Sequence, residues 1–140
     1  MHKVEHKSGR LVEVKLASPL TPEEVQQFVG ELTAIIMKIP GGKYIGVVDL
    51  LDAHVFPVAV ADGLIKLLST ASPHVERTAM LIGESATFAL QVERVIRSAN
   101  SDHRRAFRRA EELETWLGAV MTAEERVRLR QFMMSTVAMK

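Results

Sequence analysis

A chain of 140 residues with no cysteine, 47% apolar and 25% charged residues and a net charge of +1 has the size and balance of one globular domain. The composition excludes a disulfide framework, thiolate metal sites and a cysteine nucleophile, and the near-zero charge excludes a global field for nucleic acid or anionic lipid. The first residues are polar, without the apolar core of a secretory signal, and no stretch approaches the roughly 18 uncharged apolar residues of a membrane span. The expectation is one domain over residues 1–140, in the cytoplasm and without a membrane span.

Residues 4–16 read as a β-hairpin turning at Ser8-Gly9, where glycine supplies a positive φ. Alternation along the second arm puts Val12, Val14 and Leu16 on one face and Leu11, Glu13 and Lys15 on the other. His2 and His6 share a face of the first arm, with nothing else expected to converge on them. Thr21-Pro22-Glu23-Glu24 is a capping box with proline at the first helical position. The helix it opens carries Val25, Phe28, Val29, Leu32, Ile35 and Ile36 at helical spacing and stops at Pro40-Gly41-Gly42.

The next run, residues 43–52, organises the chain. It is short, apolar and rich in β-branched residues, and it lies between turn signals, so it reads as a strand buried on both faces. Such a strand needs helices above and below it. Pro57 opens a second helix to about Ser69, with Ala61, Leu64, Ile65 and Leu68 as the buried stripe and Gly63 marking close packing on the sheet. Residues 78–82 form another strand, and Ser85 caps a third helix. Phe88, Ala89, Val92, Val95 and Ile96 face inward there, with Gln91, Arg94 and Arg97 outside.

Asn100-Ser101-Asp102-His103 reads as a loop, and residues 104–108 as a short edge strand whose charges discourage further pairing. A fourth helix carries Leu113, Trp116, Leu117 and Val120. A second capping box, Thr122 to Glu125, starts a last helix through Val127, Leu129, Phe132 and Met133. The prediction is an α/β fold with a central mixed β-sheet of about five strands, helices packed against it and an extra C-terminal helix.

The order of elements, together with Leu20-Thr-Pro-Glu-Glu24, Val48-Asp-Leu50, Arg105-Ala-Phe107 and Glu114-Thr-Trp-Leu117, resembles the SpoIIAA-like group of the STAS superfamily. That resemblance implies an anti-sigma-factor-antagonist-like fold and a bacterial protein-interaction module, of a superfamily whose members are in part switched by phosphorylation and in part sense small ligands. A related-looking set resembles lipid-transfer CRAL-TRIO domains. Antagonists of this kind carry a phosphorylatable Ser or Thr where the helix after the central strand begins. In this chain residues 52–58 contain no hydroxyl, so no kinase-driven switch is expected.

Asp49, Asp52 and Glu84 are expected near the carboxyl ends of neighbouring strands, where α/β folds place ligands. Three carboxylates could hold Mg²⁺ or Ca²⁺. The plainer reading has Asp52 capping the second helix, Asp49 bonding loop amides and Glu84 solvated. His54 beside Asp52 could act as a general base, but no nucleophile motif accompanies it, and a surface histidine is the simpler reading. The histidines show no zinc spacing, and no metal or cofactor is expected.

Arg94, Arg97, Arg104, Arg105, Arg108 and Arg109 could gather into a basic patch. Aromatic residues are only 5% of the chain, too few to supply stacking platforms for nucleic acid. A salt-bridged face, or one that docks an acidic protein, is expected instead. The apolar tail from Phe132 to Met139 is either an interface, giving a homodimer through the C-terminal helix, or an end tucked on the core. The function expected is a non-enzymatic regulatory module. The alternative is a small-molecule or lipid-binding domain using the cleft near Asp52, His54 and Phe56.

Overall fold

In the computed structural model, which describes residues 1–99 and 102–138, the central strand has two strands on each side. The elements run β1 (His2–Ser8), β2 (Leu11–Leu16), α1 (Pro22–Lys38), β3 (Tyr44–Asp49), α2 (Val58–Ala71), β4 (Val75–Leu81), α3 (Ala86–Ser98), β5 (Arg104–Phe107), α4 (Ala110–Gly118) and α5 (Ala123–Ala138). The sheet order is β1-β2-β3-β4-β5, with β1 antiparallel to β2 and every later pair parallel. This is the mixed α/β sheet that the sequence pattern predicts. Of the expected loop at 100–103, Asn100 and Ser101 lie outside the described residues, as does Met139 of the tail.

Each crossover from β2 to β5 moves one strand further in the same direction. Crossovers of one hand therefore put α1, α2 and α3 on the same face. Their apolar stripes pack there on Val12, Val14, Leu16, Val48 and Met80. The opposite face, with Leu11, Ile45, Val47, Ala79, Leu81 and Phe107, is left for α4 and α5 to cover through Leu113, Leu117, Leu129 and Met133. All six residues of β3 are buried, as expected for a parallel strand with helices on both sides.

Local chemistry explains the boundaries. Thr21 Oγ1 accepts a hydrogen bond from Glu24 N at 3.1 Å and Pro22 opens α1. Gly41 and Gly42, with φ of 84° and 68°, follow its end. Ser85 caps α3 through Phe88 N at 3.2 Å. The box at Thr122 is reciprocal: its hydroxyl takes Glu125 N at 3.2 Å and its amide gives to Glu125 Oε1 at 2.8 Å.

Several expectations need correcting. Ser8 pairs with Leu11, so the hairpin turns at Gly9-Arg10, one residue later than predicted, after an irregularity at Lys7. The buried positions of α2 are Val60, Leu64, Leu67 and Ala71, while Ala61, Ile65 and Leu68 are partly covered. Because α2 touches α1 on one side and α3 on the other, its flanks are apolar too, and the stripe's phase could not be read from hydrophobicity. Gly63 approaches α1 rather than the sheet: a Cβ there would lie 3.2 Å from Val25 Cγ1. Glu24 completes its box only in part, because its carboxylate turns to His2 and the N-terminal amine.

Candidate functional site

The segment that leaves β3, residues 50–57, crosses the carboxyl end of the sheet and is tied down at three points. Ser18 N donates to Asp52 O at 3.2 Å, and His54 N donates to Ser18 Oγ at 2.9 Å. The Gln91 amide then grips the backbone of Phe56 twice: its Oε1 accepts from Phe56 N at 2.8 Å and its Nε2 donates to Phe56 O at 2.9 Å. Gln91, expected outside α3, is thus half-buried. Its position three residues after Phe88 and four before Val95 puts it on the flank of the buried stripe, which is the signal that could have placed it.

Strand alternation divides the predicted cleft. Val48 packs toward α1–α3, whereas Asp49 points to the α5 side. Asp49 is 3% exposed, and its Oδ1 accepts from Leu51 N at 2.9 Å, the loop-amide role expected of it. Lys15 Nζ lies 3.9 Å from Asp49 Oδ2 and 3.0 Å from Asp52 Oδ2. Asp52 therefore does not cap α2, whose start at Pro57 has no side-chain cap. The bond to Asp52 raises the Lys15 pKa against the opposing effect of burial, and the charge of Asp49 adds to it. Lys15 is held as an ammonium, unsuited to act as a base or nucleophile.

Beside this pair runs a polar groove of about 350 Å³ between the β1–β2 hairpin and α5. Glu13, 2% exposed, lies in its wall and receives Arg128 in a two-pronged bond, Nε to Oε2 at 2.6 Å and Nη2 to Oε1 at 2.8 Å. Alternation placed Glu13 on this face, but nothing in the sequence announced that α5 would bury it. Lys3 and Lys7 both reach Glu5, at 3.3 and 3.5 Å. These cations of the groove, like Lys15 and Arg128, are therefore each met by a carboxylate.

On the other face Phe56, 6% exposed, meets Phe88 edge-on with ring centres 5.4 Å apart. It forms part of the wall of a cavity of about 70 Å³ between the sheet and α1–α3. The wall is aliphatic and aromatic except for Tyr44, Thr78 and Gln91. Thr78 is 4% exposed, and its Oγ1 has no hydrogen-bond partner among the described residues. His54 and Glu84 are exposed, and with Asp49 on the α5 side and Phe56 on the α1–α3 side the five predicted residues are not gathered around one cavity. No three His, Asp or Glu side chains among the described residues gather in a way that could hold a metal ion.

His2, for which no neighbour was expected, has Glu24 Oε2 3.1 Å from Nδ1 and Glu31 Oε2 3.2 Å from Nε2. The arginines are also divided. Arg94, Arg97, Arg105 and Arg108 are exposed, but Arg104 is 4% exposed and donates to Ser72 Oγ at 3.0 Å. Arg105 points to the opposite face, where it and Arg77 lie 5.1 and 4.7 Å from the Trp116 ring centre.

No family model matches the chain, and no curated protein does. No helix among the described residues is long and apolar enough to cross a membrane.

Proposed function

We propose that this chain is a non-enzymatic, STAS-like interaction module of the bacterial cytoplasm that docks a protein partner through the segment after its central strand. One observation carries the reading: that segment is firmly held yet presents apolar side chains to solvent. Val55 is 49% exposed and Val58 76%, and Leu90, next to the Gln91 that grips Phe56, is 69% exposed. Scattered exposed apolar residues are ordinary; Val55 on the pinned segment, with Val58 at the start of α2 and Leu90 on α3, supports reading this end of the sheet as a docking surface. The protonated Lys15 and the buried Asp49, whose Oδ1 is bonded to a loop amide, support a non-enzymatic role, and the division of the arginines between two faces argues against a nucleic-acid groove.

Residues 52–58 offer no hydroxyl, so docking is not switched by a phosphoserine or phosphothreonine on this segment. Partner capture from the native cell tests the reading. A stoichiometric partner held by the wild type and lost by Val58→Asp at unchanged melting temperature supports it; a partner indifferent to Val55→Asp, Val58→Asp and Leu90→Asp overturns it.

Self-association through α5 is favoured by a separate observation. Val127 and Met134 are each 60% exposed and Val137 47%, and Met134 and Val137 line a surface hollow beside the buried Met133. Sedimentation equilibrium of Val127→Glu with Met134→Glu tests it. The paired change dissociates a dimer if α5 forms the interface, and leaves the mass unaltered otherwise.

A further inference from the structure

We propose that the cavity beneath Phe56 is an input site that takes a small neutral molecule with an apolar body and one hydrogen-bonding oxygen, and that its occupancy is transmitted to residues 50–58. The proposal deepens the docking reading, and rests on it for what the input controls.

Size and chemistry define the ligand. The cavity, about 70 Å³, is a little under half of the roughly 150 Å³ that accommodates benzene in an apolar core. It therefore suits about three or four non-hydrogen atoms without repacking. No carboxylate, ammonium or guanidinium of the described residues lines it, so a charged ligand would be desolvated without a counter-charge. Gln91 spends its amide oxygen and nitrogen on Phe56. The Thr78 hydroxyl, buried and without a partner among the described residues, is the group that reads the ligand's oxygen. Gly46, in register with Thr78 on the neighbouring strand, keeps the space beside it open, since a Cβ there would come within 3.0 Å of Thr78 Oγ1.

The route outward is short. The Phe56 ring is wall, and so is the Gln91 side chain that holds its backbone. A molecule pressing on either moves the segment that carries Val55 and Val58.

The test is an NMR titration of the whole chain with 2-propanol, and with xenon as a probe that cannot hydrogen-bond. Saturable shifts are expected at the Leu64 and Val92 methyls and at the Val55 and Phe56 amides. The isosteric Thr78→Val should weaken 2-propanol about tenfold, the value of one hydrogen bond, and leave xenon unchanged. Val92→Ile, which adds a carbon to the wall, should weaken both probes. No saturable shift with either probe overturns the site, and an equal 2-propanol affinity in Thr78→Val overturns the role of the hydroxyl. Interior shifts with residues 50–58 unmoved overturn the coupling. Partner loss in Val58→Asp is measured without any probe, so failure of the docking reading is seen separately.

Discussion

Arg10, in the turn of the first hairpin, and Glu125, in the first turn of α5, are joined across 115 residues by three hydrogen bonds. Glu125 Oε2 accepts from the Arg10 amide at 2.7 Å and from Nε at 3.2 Å, and Oε1 accepts from Nη2 at 3.0 Å. Arg10 Nη2 also donates to Val120 O at 2.8 Å, so the turn before α5 is bolted to the hairpin. One carboxylate both caps its helix and docks that helix on the sheet.

This carboxylate makes folding acid-sensitive. Burial alone would raise its pKa; the Arg10 guanidinium and the amides of Thr122 and Arg10 outweigh burial and bring it from 4.5 down to about 2. A depressed folded-state pKa gives stability that is complete above the unfolded value and is lost as pH falls from about 4.5 toward 2. The full contribution is roughly 3 kcal/mol. Urea unfolding as a function of pH checks it: the stability gap between wild type and Glu125→Gln should shrink over that window. A gap constant from pH 5 to pH 2.5 would show that the carboxylate's charge is not what matters.

Gly9 and Gly30 should respond to alanine with opposite signs. Gly9 has a φ of +53°, and a Cβ there would collide with the Glu125 carboxylate. Backbone strain of about 1–2 kcal/mol adds to the displacement of a carboxylate already held, so Gly9→Ala should lose more than about 2 kcal/mol. Gly30 lies inside α1 with nothing within 4 Å of an added Cβ. Gly30→Ala should gain about 0.5–1 kcal/mol from helix propensity. Thermal melts of both variants decide it.

What could be read in the sequence was whatever local chemistry determines. The caps at Thr21, Ser85 and Thr122 act within three residues, and β3 declares itself by apolar content on both faces. What escaped depends on which element covers which face. Asp49 and Phe56, seven residues apart, looked like one cleft, but the sheet separates them. The ligand rule behind that expectation applies where a sheet reverses its winding, and β2 to β5 run in one direction. Glu13 and Gln91 were missed for a related reason, since their partners lie 115 and 35 residues away.

The Glu13–Arg128 pair shows what such a distant contact costs to break. With Glu13 2% exposed, Arg128→Ala leaves a carboxylate without its counter-charge, a loss of about 3–5 kcal/mol. Replacing both partners, Glu13→Leu with Arg128→Met, removes the desolvated charge as well and should restore most of that loss. A double-mutant cycle by urea denaturation measures the coupling. If Arg128→Ala costs under about 1 kcal/mol, solvent is screening the pair as it screens surface ion pairs.

Gln91 should matter locally rather than globally. Its two bonds to Phe56 hold a segment that carries no regular structure, and each bond is worth about 1 kcal/mol net. Gln91→Leu keeps the apolar bulk but leaves the Phe56 N–H and C=O without that partner. Hydrogen exchange at the Phe56 amide and its neighbours in 53–55 should then rise by at least about tenfold. The amides of β3, protected by ladders on both sides, should exchange at the wild-type rate. The Phe56 ring would remain packed on Phe88, so the melting temperature should fall by only a few degrees. Equal acceleration in β3 and in 53–56 would instead mean that Gln91 supports the whole fold, and that the segment has no independent freedom for a ligand or a partner to control.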